Sequence, residues 1–563
     1  MRTLIICAVL FFACLGAKAA GAPEQTQLSP APQNVQALTA LGEVWAFLKY
    51  HHPAVTAGKY DWDAELIKEI PGIETAKNKT ALQAELERWV DKYPASDTCK
   101  KHAPEVNKAD IKLLPDYGDI FAPGFLTSSL QAKLHAIRDN DCIKATHYVY
   151  SAPNGNPDFQ NENAYAEMSC PDRNYRLLAL FRYWGAIEYF YPYRYLVGED
   201  WKKVLPANIP VFLNAKNADE YMLACRYLVT KIHDSHSWVW KGSGPYFDTM
   251  GDAYPAFSAQ FIDGKLVVTK TCFIFGRKVS VGDVITHIDG ESIVNRVKRL
   301  SEMVPASNNS VFMRDIGHFI LLTKNNTMTF TVLHGNETRE VSMRSYKMKS
   351  WAAKTIWKYF HRWKNTKGYE VIDDNIGYVY AAKYHDSELS NMKKSFRATK
   401  GIIIDMRCYP SEFMPFTFGA YIKDTSTPFV HTTRIDTDMP GRFIFSKPTY
   451  NGGGNDSYKG KIVVLVNEET QSQAEYSVMA FQSAKNVTVI GSTTAGADGN
   501  TSNISLPGGL VATFSGLGFY YPDGSETQRV GVKIDVQVKP TLAGVLAGRD
   551  EVLEKAIEII KSK

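Results

Sequence analysis

The sequence has no long apolar run beyond its N-terminal segment, few cysteines and no contiguous block of basic residues. No later stretch reaches the roughly 18 uninterrupted apolar residues that a membrane helix needs. The eight cysteines show no CxxC spacing, which argues against a cysteine zinc site. Lysine and arginine total 64 against 59 acids in 563 residues, a net charge of +5. Because this excess is small and dispersed, we expect no nucleic-acid partner.

The N-terminal segment is typical of a signal peptide. Arg2 gives it a positive start, residues 4–15 are apolar, and Ala17-Lys18-Ala19 has the small-x-small pattern of a cleavage site. The sequence therefore predicts that residues 1–19 are removed and that the mature chain is exported to the periplasm or the extracellular space. Lipidation at Cys14 is the alternative, although Phe11 stands where such signals usually have leucine.

Six cysteines follow the signal peptide, namely Cys99, Cys142, Cys170, Cys225, Cys272 and Cys408. An exported protein meets oxidising conditions, so one or two disulfides are expected. Spacing does not determine which cysteines pair.

An internal repeat follows a leader rich in proline and alanine that covers residues 20 to about 35. Four pairs of positions match at one offset of 139 residues: Leu41 and Leu180, Trp45 and Trp184, Pro53 and Pro192, and Trp62 and Trp201. Each copy predicts a helix that stops at the proline and a second helix that starts at the tryptophan. Two amphipathic helices can resemble each other by composition alone, but the shared offset favours a duplication.

Residues 251–347 change to short strands separated by turns. Gly282-Asp-Val-Ile and Ile288-Asp-Gly290, followed by a predicted helix over 292–303, resemble the corresponding strand, turn and helix of a PDZ domain. PDZ domains bind a peptide by adding it as a strand at a sheet edge. The resemblance therefore implies a site for a substrate tail, and a plain β-rich domain is the alternative.

From about residue 370 onward, strands and helices alternate, which is typical of βαβ units with a parallel sheet. Strands are predicted over 376–380, 401–406, 461–466 and 487–491, and helices over 388–398, 474–485 and 550–560. A β-hairpin extension is expected within 508–540. Sites in such sheets lie at the carboxyl ends of the strands.

Ser472 is the strongest candidate for a catalytic residue. It follows an apolar strand and a short polar loop and directly precedes an apolar helix. The free N–H groups and the positive dipole end of that helix would stabilise an oxyanion. Serine before a helix is also the usual N-cap, so this segment alone leaves both roles open.

Three further features resemble the S41 serine peptidases, which include tricorn protease and the C-terminal processing peptidases. The first is Gly401-Ile-Ile-Ile-Asp405-Met-Arg407-Cys-Tyr-Pro410. The second is the order of strand, Ser472-Gln-Ala-Glu475, helix and Gly491-Ser-Thr-Thr-Ala-Gly496, and the third is the PDZ-like unit upstream. The resemblance covers about residues 165–560. It implies a multidomain α+β protein whose peptidase core has an α/β fold of the ClpP/crotonase-like kind.

The family has two catalytic designs, a Ser–Lys dyad and a set of Ser, His and Glu. Ala497 stands where the dyad would place its lysine, which disfavours that design. For the other design the resemblance implies Ser472 as nucleophile, His236 as general base and Glu526 as the acid that orients the histidine. Ser235 would add a hydrogen bond to the glutamate or the substrate.

Some details of this assignment depart from the family pattern. Some members carry the acid nearer to Gly531, where this chain has Gln528. The Gln473 N–H and the turn after Met406, at Cys408, are the implied oxyanion donors, although the usual glycine-rich loop is absent from that turn.

Each candidate also has an ordinary structural explanation. Glu526 beside a glycine turn could be a solvated loop acid. The pair His233-x-x-His236 could bind a metal, but no HExxH helix or cysteine partner supports such a site.

The segments expected from these patterns are a signal peptide (1–19), a first helical copy with its connector (20–165), a second helical copy that carries His236 (166–250), a PDZ-like domain (251–347) and an α/β peptidase core (348–563). The resemblance implies an exported serine endopeptidase that acts on proteins or peptides without a cofactor or metal. One alternative is a catalytically inactive scaffold that binds peptides or small apolar ligands, since interphotoreceptor retinoid-binding proteins resemble the same core. Hydrolysis of a non-peptide ester by the same residues is another.

Overall fold

The computed structural model of the protein describes residues 32–93, 102–140, 142–241, 244–245, 250–276, 278–360, 367–373, 375–454 and 456–562. The predicted signal peptide and most of the predicted leader lie outside these ranges. The described residues have a mixed α/β fold, and none of their helices is long and apolar enough to cross a membrane. Cys142 is disulfide-bonded, whereas Cys170, Cys225, Cys272 and Cys408 form no disulfide among the described residues.

The first part of the chain is mainly helical. Its helices are α1 (Pro32–His51), α2 (Pro53–Thr56), α3 (Trp62–Glu74), α4 (Lys79–Val90), α5 (Ser128–Arg138), α6 (Arg173–Phe190), α7 (Trp201–Asn214) and α8 (Ala218–Thr230). Its short strands are β1 (Ile111–Leu113), β2 (Val149–Ser151), β3 (Pro157–Phe159), β4 (Val239–Lys241) and β5 (Gly244–Pro245). The leader was expected to reach about residue 35, but α1 already begins at Pro32, where a missing N–H costs a helix nothing.

Two helix pairs, α1 with α3 and α6 with α7, contain the same reciprocal hydrogen bonds. The indole N–H of Trp45 donates to the Trp62 carbonyl at 3.0 Å, and the Trp62 indole donates to the Trp45 carbonyl at 3.1 Å. Trp184 and Trp201 exchange the same two bonds at 3.1 and 3.2 Å. A duplicated helix pair would have this geometry at both places, since all four indoles are buried and need a partner for their N–H.

A β-rich unit follows the helical part. Its elements are β6 (Ala253–Pro255), β7 (Phe257–Ile262), β8 (Lys265–Thr271), β9 (Val284–Ile288), β10 (Glu291–Ser292), α9 (Ile293–Ser301), α10 (Asn309–Phe319), β11 (Thr327–His334) and β12 (Glu337–Lys347). The sheet is antiparallel with the order β6-β12-β11-β9-β8-β7, and β10 pairs with β9. Asp289 and Gly290 turn the chain with positive φ angles, and the expected helix is α9, capped by Ser292. Helix α10 was not expected.

A six-stranded sheet forms the core of the C-terminal part. After α11 (Trp351–Phe360) its elements are β13 (Tyr369–Ile372), β14 (Ile376–Tyr380), α12 (Leu389–Phe396), β15 (Gly401–Asp405), α13 (Phe418–Tyr421), β16 (Thr427–Ile435), β17 (Phe443–Phe445), β18 (Thr449–Asn451), β19 (Lys461–Val466), α14 (Gln473–Gln482), β20 (Val487–Gly491), β21 (Thr501–Leu506), β22 (Leu510–Ser515), β23 (Phe519–Tyr520), β24 (Val536–Gln537), α15 (Leu542–Leu546) and α16 (Glu551–Lys561). The order is β13-β14-β15-β19-β20-β24, with parallel pairing from β14 to β24. The predicted strands lie within one residue of their observed bounds, because each is a short apolar run buried on both faces.

The hairpin of β21 and β22 connects this core to the helical part. It begins at Thr501, earlier than the expected 508. Strand β22 also pairs with β4, which follows α8. This pairing joins segments that are about 270 residues apart and brings the chain around residue 236 to the core.

Candidate active site

Ser472 lies at the carboxyl edge of the parallel sheet. Strands β15 and β19 are parallel neighbours with Asp405 opposite Leu465, so the turns that follow them lie side by side. Ser472 directly precedes α14. Its backbone has φ 57° and ψ −122°, a conformation that residues other than glycine rarely adopt. Such a conformation costs about 1–3 kcal/mol and persists only where the surroundings impose it.

Glu475 holds this conformation in place. Its carboxylate is fully buried and accepts hydrogen bonds from the Thr494 hydroxyl at 2.6 Å and the N–H groups of Gly496 and Ala497 at 2.8 and 3.1 Å. It also accepts a 3.3 Å bond from the Ser472 N–H, which donates to the Ala497 carbonyl at 3.0 Å as well. Burial raises the pKa of Glu475, and these donors oppose the rise by favouring its charged form. One side chain therefore fixes both Ser472 and the loop beside it.

His236 is held by the hairpin of the core. Its Nδ1 lies 2.9 Å from the Ser515 Oγ at the end of β22. The Ser515 hydroxyl donates to Asp234 Oδ1 at 3.0 Å, and the Ser515 N–H donates to Asp234 Oδ2 at 2.7 Å. Because the single hydroxyl hydrogen goes to Asp234, the Ser515 oxygen must accept from an Nδ1–H of His236. This tautomer leaves Nε2 free to accept a proton.

The electrostatic surroundings keep His236 neutral. Burial lowers the pKa of its imidazole, and the nearby Arg314 guanidinium lowers it further, whereas the Asp234 carboxylate raises it. A histidine with a lowered pKa carries no proton on Nε2 at neutral pH, which is the state that a general base requires.

Two of the predicted site residues make other contacts. Glu526 makes no hydrogen bond to His236. Its Oε1 instead accepts from the Tyr195 hydroxyl at 2.7 Å and from Lys112 at 3.1 Å. The Ser235 hydroxyl pairs with Ser307 instead of a glutamate, donating to its Oγ at 3.1 Å and accepting from its N–H at 2.9 Å.

Asp234 and Ser515, which occupy the place expected for Glu526, were missed by sequence reasoning. Asp234 stood within the His-Asp-Ser-His motif and could have been weighed as the acid. Ser515 gives no signal in the sequence, since only the pairing of β22 with β4 brings it to His236.

The β-rich unit contacts both the Ser235-His236 segment and the loop beside Ser472. Ser307, which precedes α10, bonds to Ser235. The next residue, Asn308, donates from Nδ2 to the carbonyls of Thr494 and Ala495 at 2.8 and 3.1 Å. A single turn of this unit therefore bridges the segment that carries the candidate base and the loop beside the candidate nucleophile.

Arg314 on α10 adds a second bridge. Its guanidinium donates to the Gln471 Oε1 at 3.0 Å and to the Glu468 carbonyl at 2.7 Å, in the loop just before Ser472. The same charge lowers the pKa of His236. Ser472 and His236 themselves share no hydrogen bond, and such bonds are often formed only when substrate is bound.

The two predicted oxyanion donors lie in adjacent turns. Gln473 is the first residue of α14, and its N–H makes no hydrogen bond within the described chain. Cys408 lies in the turn after β15, which is tied to the serine loop by the Thr470 hydroxyl donating to the Met406 carbonyl at 2.8 Å. In the described ranges no group of three His, Cys, Asp or Glu side chains could hold a metal ion.

Comparisons with known proteins match this core. Residues 375–538 match the model of peptidase family S41. Tricorn protease of Thermoplasma acidophilum is 26% identical over 190 residues, which are 33% of this chain and 16% of that protein. A probable CtpA-like serine protease of Staphylococcus haemolyticus is 21% identical over 265 residues, 46% of each chain. The chain thus spans less than half the length of these two curated relatives.

Among solved structures, the crystal structure of mature CPAF has the same overall fold. It superposes with a TM-score of 0.56 at 13% identity and covers 69% of this chain and 96% of that chain. At this identity the likeness concerns the fold alone. The match over residues 375–538 supports an S41 peptidase core in this chain.

Proposed function

We propose that the chain is an exported serine endopeptidase that hydrolyses proteins or peptides through an acyl-enzyme on Ser472. The observation that carries this proposal is the backbone of Ser472, whose positive φ at the start of α14 is imposed by the buried Glu475. Ser472 is also the N-cap residue of α14, but a cap alone needs no such conformation, because caps usually lie in the extended region. A strained serine at a helix N-terminus is instead what an exposed nucleophile requires.

In the proposed reaction His236 is the general base. Its Nε2 accepts the proton of the Ser472 hydroxyl as the oxygen attacks the peptide carbonyl, and then returns that proton to the leaving amine. Water attacks the resulting ester with the same assistance and regenerates the serine. Asp234, acting through Ser515, fixes the tautomer of His236 and stabilises the transient imidazolium, the role expected for Glu526.

The oxyanion of the tetrahedral intermediate would lie at the start of α14. The Gln473 N–H points from the helix end that carries partial positive charge, and the turn at Cys408 lies beside it. Both donors belong to the backbone, which is why the departure from a glycine-rich turn does not remove them.

The other expectations extend this proposal. The β-rich unit would bind a substrate tail in the manner of a PDZ domain, and α1 with α3 and α6 with α7 would descend from one duplicated unit. The peptidase-family match gives no support to the inactive scaffold.

Substitution of the nucleophile tests the proposal. We expect Ser472→Ala to lower kcat/KM for an unstructured protein substrate by at least about 10³-fold, because no other group can form the ester. Ser477→Ala is the matched control. It removes a buried hydroxyl from the same helix, and this hydroxyl bonds only to the Gln473 carbonyl. Hydrolysis that persists in Ser472→Ala would overturn the proposal.

A further inference from the structure

The chain carries one strongly basic segment. Residues 341–369 contain eight lysines and arginines and no aspartate or glutamate, although the whole chain has nearly as many acids as bases. The same segment has three of the ten tryptophans. None of these residues takes part in the proposed catalysis, so their concentration calls for a different explanation.

Helix α11 exposes two tryptophans and two lysines of this segment together. Its inner face packs Ala353 and Ile356, both buried, against the β-rich unit. Its outer face carries Trp351, which is 74% exposed, and Trp357, which is 59% exposed. Lys354 lies between them in the sequence and is exposed too. A water-facing helix normally keeps large aromatic side chains on its inner face.

A neighbouring turn extends this apolar surface. The turn Phe273–Phe275 exposes Phe273 by 48% and Ile274 by 55%. Its third residue, Phe275, contacts Trp351 with 6.4 Å between the ring centroids. We call the exposed set formed by Phe273, Ile274, Trp351, Lys354, Trp357 and Lys358 the α11 face.

Four exposed lysines lie on this face or precede it in the sequence. Lys347, Lys349, Lys354 and Lys358 are exposed, and within the described residues none of these four has an ion-pair partner. Beside them lies an open depression of about 500 Å³ between Tyr254 and Trp357. A partner for this surface must offer negative charge and also an apolar phase for the aromatic rings.

We propose that the α11 face docks on an anionic lipid bilayer, with α11 lying in the plane of the headgroups. Tryptophan prefers the boundary between headgroups and acyl chains, and lysine beside it pairs with anionic lipid. An acidic protein would pair with the lysines, but this pairing would not explain why four large apolar side chains are exposed on the same face. Docking would hold the β-rich unit and the core at a membrane surface.

Vesicle flotation of the full chain tests this proposal. We expect binding to vesicles of phosphatidylcholine mixed with phosphatidylglycerol, weak binding to phosphatidylcholine alone, and loss of binding as salt is raised. Lys354→Gln with Lys358→Gln should weaken binding roughly 25-fold, since each lysine near an anionic surface contributes about fivefold. Trp351→Ser with Trp357→Ser should weaken binding to both kinds of vesicle. The leader and signal segments are the same in all variants, so differences between variants report on the α11 face.

Matched controls change the same charge or polarity elsewhere. Lys394→Gln with Lys400→Gln removes two exposed lysines of the core, and Val294→Ser removes an apolar side chain that is 76% exposed on α9. Neither should alter binding, and the Tm of every variant should match that of the unchanged chain. Binding that is equal on both lipids, or unchanged in the α11 variants, would overturn the proposal. Binding of the lysine face to polyglutamate but not to vesicles would also overturn it and assign the face to an acidic protein.

Discussion

Individual side chains of the site differ in how far the sequence predicts them. Ser472 and His236 stand in short motifs whose order along the chain is enough to identify them as candidates. The sequence does not identify the acid in the same way, because Glu526 matches the motif but bonds to Tyr195 and Lys112. Asp234 reaches His236 only through Ser515, a contact that depends on strand pairing over 270 residues and leaves no local pattern.

The charges around His236 predict opposite pH shifts in two variants. Activity should fall as pH drops through the lowered pKa of His236, because a protonated imidazole cannot accept the serine proton. Asp234→Asn removes the charge that raises this pKa, so the acid limb of kcat/KM should move to lower pH, with a rate loss of about 10²–10⁴-fold. Arg314→Gln removes a charge that lowers the pKa, so the limb should move to higher pH. The measurement is the pH profile of kcat/KM.

Asp456→Asn is the control for these profiles, since its carboxylate is 92% exposed and pairs with Lys393 on α12. A limb that stays in place in both Asp234→Asn and Arg314→Gln would show that another group titrates.

The helical elements formed largely as their sequences predict, since tryptophan, proline and capping residues mark the ends of α1, α3, α6 and α7.

The buried acidic side chains of these helices were not expected. Glu43 on α1 is 1% exposed and accepts from the Asp119 N–H at 2.8 Å, while its second oxygen has no partner within the described chain. Burial raises its pKa to about 8. On α6, burial raises the pKa of Glu188 to about 7.

Glu43 should make the stability of the fold depend on pH. Its carboxyl is protonated in the folded chain but ionises in the unfolded chain above its ordinary pKa, so stability falls as pH rises from about 4.5 toward 8. Glu43→Gln keeps an oxygen for the Asp119 N–H and removes the ionisation. We expect the variant to be more stable at pH 7 by up to about 3 kcal/mol and equally stable near pH 4.

Chemical denaturation at both pH values measures this difference. Glu340→Gln, at an exposed position, should change neither value. A Glu43→Gln variant that is less stable at pH 7 would contradict the assignment of a neutral carboxyl at this position.

At the scale of the whole molecule, the site is assembled from three parts of the chain. The core supplies Ser472, the helical part supplies His236, and the β-rich unit bridges them through Ser307 and Asn308. The alternation of strands and helices predicted the core, and the strand-rich composition predicted the β-rich unit. The bridge could not be predicted, because contacts between parts of the chain depend on how their surfaces fit. They leave no periodic pattern of apolar residues in the local sequence.

The bridge predicts that a change in the β-rich unit alters catalysis. Asn308→Asp keeps the cap of α10, because its oxygen still accepts from Val311, but it loses the amide that donates to Thr494 and Ala495. Displacement of that loop should lower kcat/KM roughly 10- to 100-fold, since catalytic geometry tolerates little misplacement. Kinetics of the purified variant measure the effect.

Asn78→Asp is the matched control, because Asn78 caps α4 through its side-chain oxygen and lies on the surface. It should have unchanged kinetics. Equal kcat/KM for Asn308→Asp and the unchanged chain would contradict this prediction. The bridge would then connect the parts of the chain without affecting catalysis.

The most direct test of the proposed mechanism is the reaction of the protein with a serine-directed fluorophosphonate, followed by mapping of the modified residue by mass spectrometry. We predict one adduct, on Ser472, whose rate of formation falls as His236 becomes protonated and which is absent from His236→Ala. An adduct on a different serine, or peptide hydrolysis by a chain that takes up no label, would contradict the mechanism.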